Sequence, residues 1–104
     1  MANQNEKTTN LDDYIKSLGK ELRNAKAAFW KETRMAEDAF HKAMHNAMAD
    51  YEKVEYSKKR VPGAIAEAGQ VFDQEYDSAY KAFGNATRDA LERFKKRIED
   101  LISP

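Results

Sequence analysis

Apolar residues recur four and three positions apart through most of this chain: Leu11, Ile15, Leu18, Leu22, Ala25 and Phe29, then Ala36, Ala39 and Ala43. That alternation is the signature of a helix laying one stripe against a neighbouring helix, the heptad seam. Glu32 interrupts the seam once, and past residue 40 the stripe drifts to Phe40, Met44, Ala47, Met48, Tyr51 and Val54, a shift that resembles a stutter. A second series, Ile65, Phe72, Tyr76, Ala79, Phe83, Ala86, Ala90, Phe94, Ile98 and Leu101, has mostly the same spacing. The two halves share a period without matching as a sequence repeat. With only four Gly and two Pro among 104 residues, and with Ala, Glu, Lys, Arg, Met and Leu abundant, helix is the local preference almost everywhere.

The stretch "TTNLDD" predicts where the first helix begins. Thr9 or Asn10 can cap its free amides, and Asp12 and Asp13 put negative charge at the positive end of the helix dipole. Residues 1–9 then form a flexible polar tail. Pro62 drives Val61 out of helical geometry and Gly63 loosens the chain, so a sharp reversal is expected there. Gly84-Asn85 leaves the phase of the second seam unchanged, which favours an unbroken helix. The expected fold is all-α: a single domain over residues 10–104, with a helix at 10–60, a turn at 61–63 and a helix at 64–102. It forms a long antiparallel helical hairpin, a two-helix coiled coil, assembling into a four-helix dimer or a higher oligomer.

A turn centred near residue 62 makes the numbers of facing residues sum to roughly 124. Phe40 then falls opposite Gly84, Met48 meets Tyr76, and Trp30 meets Phe94. In this register the second helix reaches back only to about residue 22, whereas the first helix spans roughly 75 Å at 1.5 Å per residue. The apolar positions at the far end, Leu11, Ile15, Leu18 and Leu22, therefore form the expected self-association surface. Either the overhang folds back at Gly19 or another chain covers it, because each large side chain left in water forfeits about 1.5–3 kcal/mol.

Lys plus Arg and Asp plus Glu each total 18, so the net charge is zero and no global field favours nucleic acid or an anionic membrane. Two basic clusters, Lys58-Lys59-Arg60 and Arg93 with Lys95-Lys96-Arg97, fall at different ends of the hairpin and read as solvated helix surface rather than as a phosphate groove. The acid-before-base pairs Glu55/Lys59, Asp77/Lys81, Asp89/Arg93 and Glu92/Lys96 read the same way. No apolar run approaches the roughly 18 residues that would span a bilayer, and the polar N-terminus lacks an apolar leader segment. A soluble, cytoplasmic protein is expected.

Chemistry finds little to work with. Cysteine is absent, which removes disulfides, thiol catalysis and zinc fingers. Glu37, His41 and His45 line one helical face, but the positions opposite, "AYKAFGNAT", supply no acid to complete a metal site. The histidines read as the outer flank of a helix. Ser17, Ser57, Ser78 and Ser103 sit in no nucleophile motif, and no Gly-rich loop could cradle a phosphate. The chain is expected to be no enzyme, with no cofactor and no bound metal.

What remains is association. Trp30 and Tyr80 stand one step outside the seam, where an aromatic ring with a polar tip anchors protein contacts. They are the expected partner-binding residues. The expected function is a non-enzymatic scaffold or adaptor that forms a homo-oligomer and binds a protein partner through its helical faces. Two other readings use the same surfaces. The amphipathic Ala- and Phe-containing helices resemble phasins, which coat apolar storage granules, and a small inhibitor or accessory subunit from a phage or mobile element is the other. Val61-Pro62-Gly63 stands where the small secreted hairpins carry a Trp-x-Gly turn, so that family is not assigned.

Overall fold

The computed structural model describes residues 2–57 and 61–103, with residues 2–9 described by their backbone alone. Two helices, α1 (Ala2–Glu55) and α2 (Ala64–Ile102), run antiparallel as one extended hairpin, and no strand occurs among the described residues. The Cα atoms fill a slab of 89 × 20 × 7 Å with a radius of gyration of 24.6 Å, against about 13 Å for a compact domain of this length. Both helices therefore lie side by side in a single layer.

The ends of α1 differ from the sequence reading. Helix begins at Ala2 rather than at Asn10, because nothing between them is Gly or Pro and extending an existing helix is cheap compared with nucleating one. Asp12 and Asp13 consequently sit inside the helix, past the first turn where the dipole is felt. The helix also runs unbroken through Gly19, so the overhang does not fold back. Its last residue is Glu55 rather than residue 60. Beyond it the Tyr56 N–H donates to the Glu52 carbonyl at 2.9 Å, and the Ser57 N–H to the Val54 carbonyl at 3.2 Å, a tightening common at helix ends. Residues 58–60, where the expected end falls, lie outside the described residues.

The reversal into α2 is chemically specific. The Ala64 N–H donates to the Val61 carbonyl at 3.1 Å, and Gly63 has φ 84° and ψ −6°. With Pro62 and Gly63 at its two central positions this is a type II turn, whose third residue needs a positive φ. The Glu67 N–H then donates to the Gly63 carbonyl at 3.0 Å as the first link of α2. Gly63→Ala should cost about 1 kcal/mol through backbone strain alone, since a Cβ there meets no atom within 4 Å. Gly84→Ala, equally unobstructed but inside a helix, should instead stabilise by about 0.5–1 kcal/mol. Urea melts of the two variants at one protein concentration check the opposite signs.

Aromatic rings lock the register. Phe29 meets Phe94 at 5.3 Å between ring centres, Phe40 meets Phe83 at 5.6 Å, and Tyr51 meets Phe72 at 6.2 Å. The numbers of each pair sum to 123, one less than assumed, and on a helix one residue turns a side chain by about 100°. All three expected pairings shift accordingly. Phe40 packs on Phe83 and Tyr76 instead of over Gly84, where the space stays open. Phe29, not Trp30, takes Phe94. Met48 borders one hollow with Gly69, Phe72 and Asp73.

These pairs also expose the true period of the seam. Phe29, Phe40 and Tyr51 are eleven residues apart, as are Phe72, Phe83 and Phe94, and so are the buried Ala25, Ala36 and Ala47. The stutter seen near residue 40 recurs in every three turns. An eleven-residue repeat gives about 3.67 residues per turn, close enough to the straight-helix value of 3.6 that little supercoiling is needed. The flatness of the slab is consistent with this. The regularity was hidden because polar Glu32, Thr33 and Glu55 occupy slots of the same repeat.

Two helices in one layer enclose only a line. Among the described residues the buried hydrophobic ones are Ala25, Ala36, Ala47 and Ala90, and no large side chain is fully enclosed. Phe29, Phe40, Phe83 and Phe94 straddle the seam half-covered.

Candidate interaction surfaces

The slab has two broad faces that differ in the size of their side chains. On one, α1 presents Ala39 and Ala43 and α2 presents Ala82 and Ala86, which line a shallow apolar groove with the edges of Phe40 and Phe83. Further along this face Glu32 stands in the seam and collects two cations. Arg93 donates to its Oε2 from Nε at 3.2 Å and from Nη2 at 3.1 Å, while Arg97 Nη2 lies 3.6 Å from Oε1. Arg97 Nη1 is enclosed with no hydrogen-bond partner among the described residues.

That cluster was not foreseen from the sequence, although the signal was present. Glu32 interrupts the seam at one point, and Arg93 and Arg97, four apart on α2, fall where the register brings them across from it. Arg93 was expected to pair with Asp89 on its own helix. Reaching across to Glu32 gives it two donors on a carboxylate that is only 26% exposed, a better-shielded partner than a surface acid. Two of the four cations in the second basic cluster are thereby engaged within the chain. The first cluster, residues 58–60, lies outside the described residues.

The other broad face carries larger apolar side chains, with Lys26 and Glu37 among them. In α1 the columns Leu11, Leu22, Thr33, Met44 and Ile15, Lys26, Glu37, Met48 run along it. In α2 the columns are Ile65, Tyr76, Thr87, Ile98 and Gly69, Tyr80, Leu91, Ile102. Contacts tie the two helices to a common side: Tyr76 meets Phe40 at 6.3 Å, and Met48 and Gly69 border one hollow with Tyr51 and Phe72. Most of its large side chains are open to solvent, including Met48 at 46%, Tyr80 at 60% and Leu91 at 41%. Its threonines are already satisfied, since the Thr33 hydroxyl donates to the Trp30 carbonyl and the Thr87 hydroxyl to the carbonyls of Phe83 and Gly84.

The four residues of the expected self-association surface divide by position. Leu11 and Ile15 are exposed, whereas Leu18 and Leu22, closer to the end of α2, are half-covered. Tyr14, also exposed, occupies the slot eleven residues before the buried Ala25, so the seam itself continues into the overhang. The expected partner-binding residues are both exposed but are not brought together. Trp30 lies edge-on to Phe29 at 6.2 Å, and Tyr80 stacks on Tyr76 at 6.2 Å with planes 11° apart. Along the hairpin they are separated by about 20 Å at 1.5 Å per residue. His41 and His45 are exposed on α1, with His41 edge-on to Phe40 at 6.0 Å.

No helix among the described residues is long and apolar enough to cross a membrane. The chain matches no family model, and no matching curated protein or solved structure was found.

Proposed function

We propose that this chain is a non-enzymatic helical scaffold or adaptor that associates with itself and offers helical faces to a protein partner. The observation that carries the reading is the single layer: among the described residues the enclosed core amounts to four alanines, while rows of Leu, Ile, Met and Tyr stay open. A stable domain needs a second layer to cover its apolar faces, and a chain that lacks one gains most by borrowing it from another molecule. Exposed Trp30 and Tyr80 support a protein partner, because such rings bury large area at low entropic cost.

Light scattering across a concentration series tests the association. The mass should rise above the 11.9 kDa of one chain to a defined multiple. Replacing Leu11, Ile15 and Leu18 together by Ser should return it toward the monomer by at least tenfold in dissociation constant. A mass fixed at one chain throughout the series would overturn the reading.

A further inference from the structure

Building on the proposed self-association, we infer that the occupant of the broad face with the larger apolar side chains is a second copy of this chain, stacked face to face and antiparallel about one two-fold axis. The axis passes between residues 31 and 32 of α1 and beside Leu91 of α2. Three separate features converge on it.

The first is the outermost column of α1. Ile15, Lys26, Glu37 and Met48, eleven residues apart, read apolar, basic, acidic, apolar, so that reversing the order keeps the apolar ends and exchanges the two charges. A two-fold contact places each residue against its mirror position on the other copy. Centred between residues 31 and 32, it seats Ile15 on Met48 of the second copy and Lys26 on Glu37 of the second copy, each contact occurring twice.

The second is the matching column of α2, which belongs to a different helix. Centred at Leu91, an antiparallel copy seats Leu91 on itself and Tyr80 on Ile102 of the second copy. The register of the hairpin, set by Phe29 on Phe94 and Phe40 on Phe83, places residues 31 and 32 opposite Leu91 and its neighbour. One axis therefore satisfies both helices with no adjustable offset. Rotating the second copy about the long direction instead would lay α1 on α2. Lys26 and Glu37 would then meet the uncharged Gly69, Tyr80, Leu91 and Ile102 column and lose their counter-charges.

The third is area. A stable interface takes about 800 Å² from each partner, and a face within the 89 × 20 Å outline offers more than that even though the overhang is one helix wide. The overhang alone, about 28 Å of one helix by its rise per residue, does not. In the stacked pair Leu11 and Ile15 are instead covered by the turn end of the second copy, around its Met48. Because Thr33 and Thr87 are bonded within their own helices, the face closes without orphaning those hydroxyls.

The chain has no cysteine, so a single introduced one reports cleanly. Leu91→Cys, oxidised with copper phenanthroline, should give a covalent dimer. Met35→Cys should not, since Met35 is exposed on the opposite side, in the column of Asn24 beside Arg97. Lys26→Glu or Glu37→Lys should each weaken the dimer at least tenfold by light scattering, and the double reversal should restore it. A dimer that fails to cross-link through Cys at 91, or that the double reversal does not rescue, overturns this arrangement while leaving self-association standing. A chain that stays monomeric overturns both.

Discussion

Phe40→Ala is expected to lower the unfolding free energy by about 2–3 kcal/mol. The ring touches Phe83, Tyr76 and His41 and stands at the middle of the aromatic ladder that sets the register. A fully enclosed phenylalanine costs about 3–5 kcal/mol when truncated. Phe40 is half-covered, and the new alanine recovers a few tenths in helix propensity, so the lower range applies. Trp30→Ala is the matched control: its ring is larger but 69% exposed, and the loss should stay near 0.5 kcal/mol. Urea unfolding followed by far-ultraviolet circular dichroism measures both, at a single protein concentration because association shifts apparent stability. Equal losses would mean that the ladder does not hold the hairpin together.

Ala90→Leu should destabilise by about 1–3 kcal/mol although it adds apolar surface and keeps helix propensity nearly unchanged. Ala90 has no exposed surface at all. Three extra carbons at a closed seam must push the helices apart, and that separation is felt by the adjacent Phe29–Phe94 pair. The same unfolding experiment reads the result, with Leu91→Ala beside it to separate seam from open face. A stabilised Ala90→Leu hairpin would show that the alanine seam is loosely packed rather than closed.

Much of this architecture was legible in local patterns. The four-three spacing requires helices, Val61-Pro62-Gly63 requires a reversal, and unequal arm lengths require an overhang, since each follows from steric and hydrogen-bonding limits on a few adjacent residues. The ends of α1 were harder to read. Thr9, Asn10, Asp12 and Asp13 have the composition of a cap, yet a capping sequence only offers an alternative to helix, and without a breaker the helix continues through it. The eleven-residue period was also missed. A repeat with polar occupants at Glu32, Thr33 and Glu55 looks like an interrupted heptad until the buried positions are known.

The surfaces divide along the same line. That Leu11 and Ile15 would be open, and that Trp30 and Tyr80 would stand outside the seam, follows from helical spacing within one strand of sequence. The Glu32, Arg93 and Arg97 cluster does not, because it depends on side chains separated by 61 positions meeting across the seam, and a register error of one residue dissolves it.

By itself, then, the order of amino acids determined the element type, the place of the turn and the apolar character of each helix, all of which are set by interactions within a few residues of chain. Only the tertiary structure decided which rings pair, which side chains share each broad face, and that the enclosed core among the described residues is no more than a line of alanines. The reason is geometric: those outcomes depend on the phase of one helix relative to the other, and a shift of a single residue turns every side chain through more than a quarter of a circle.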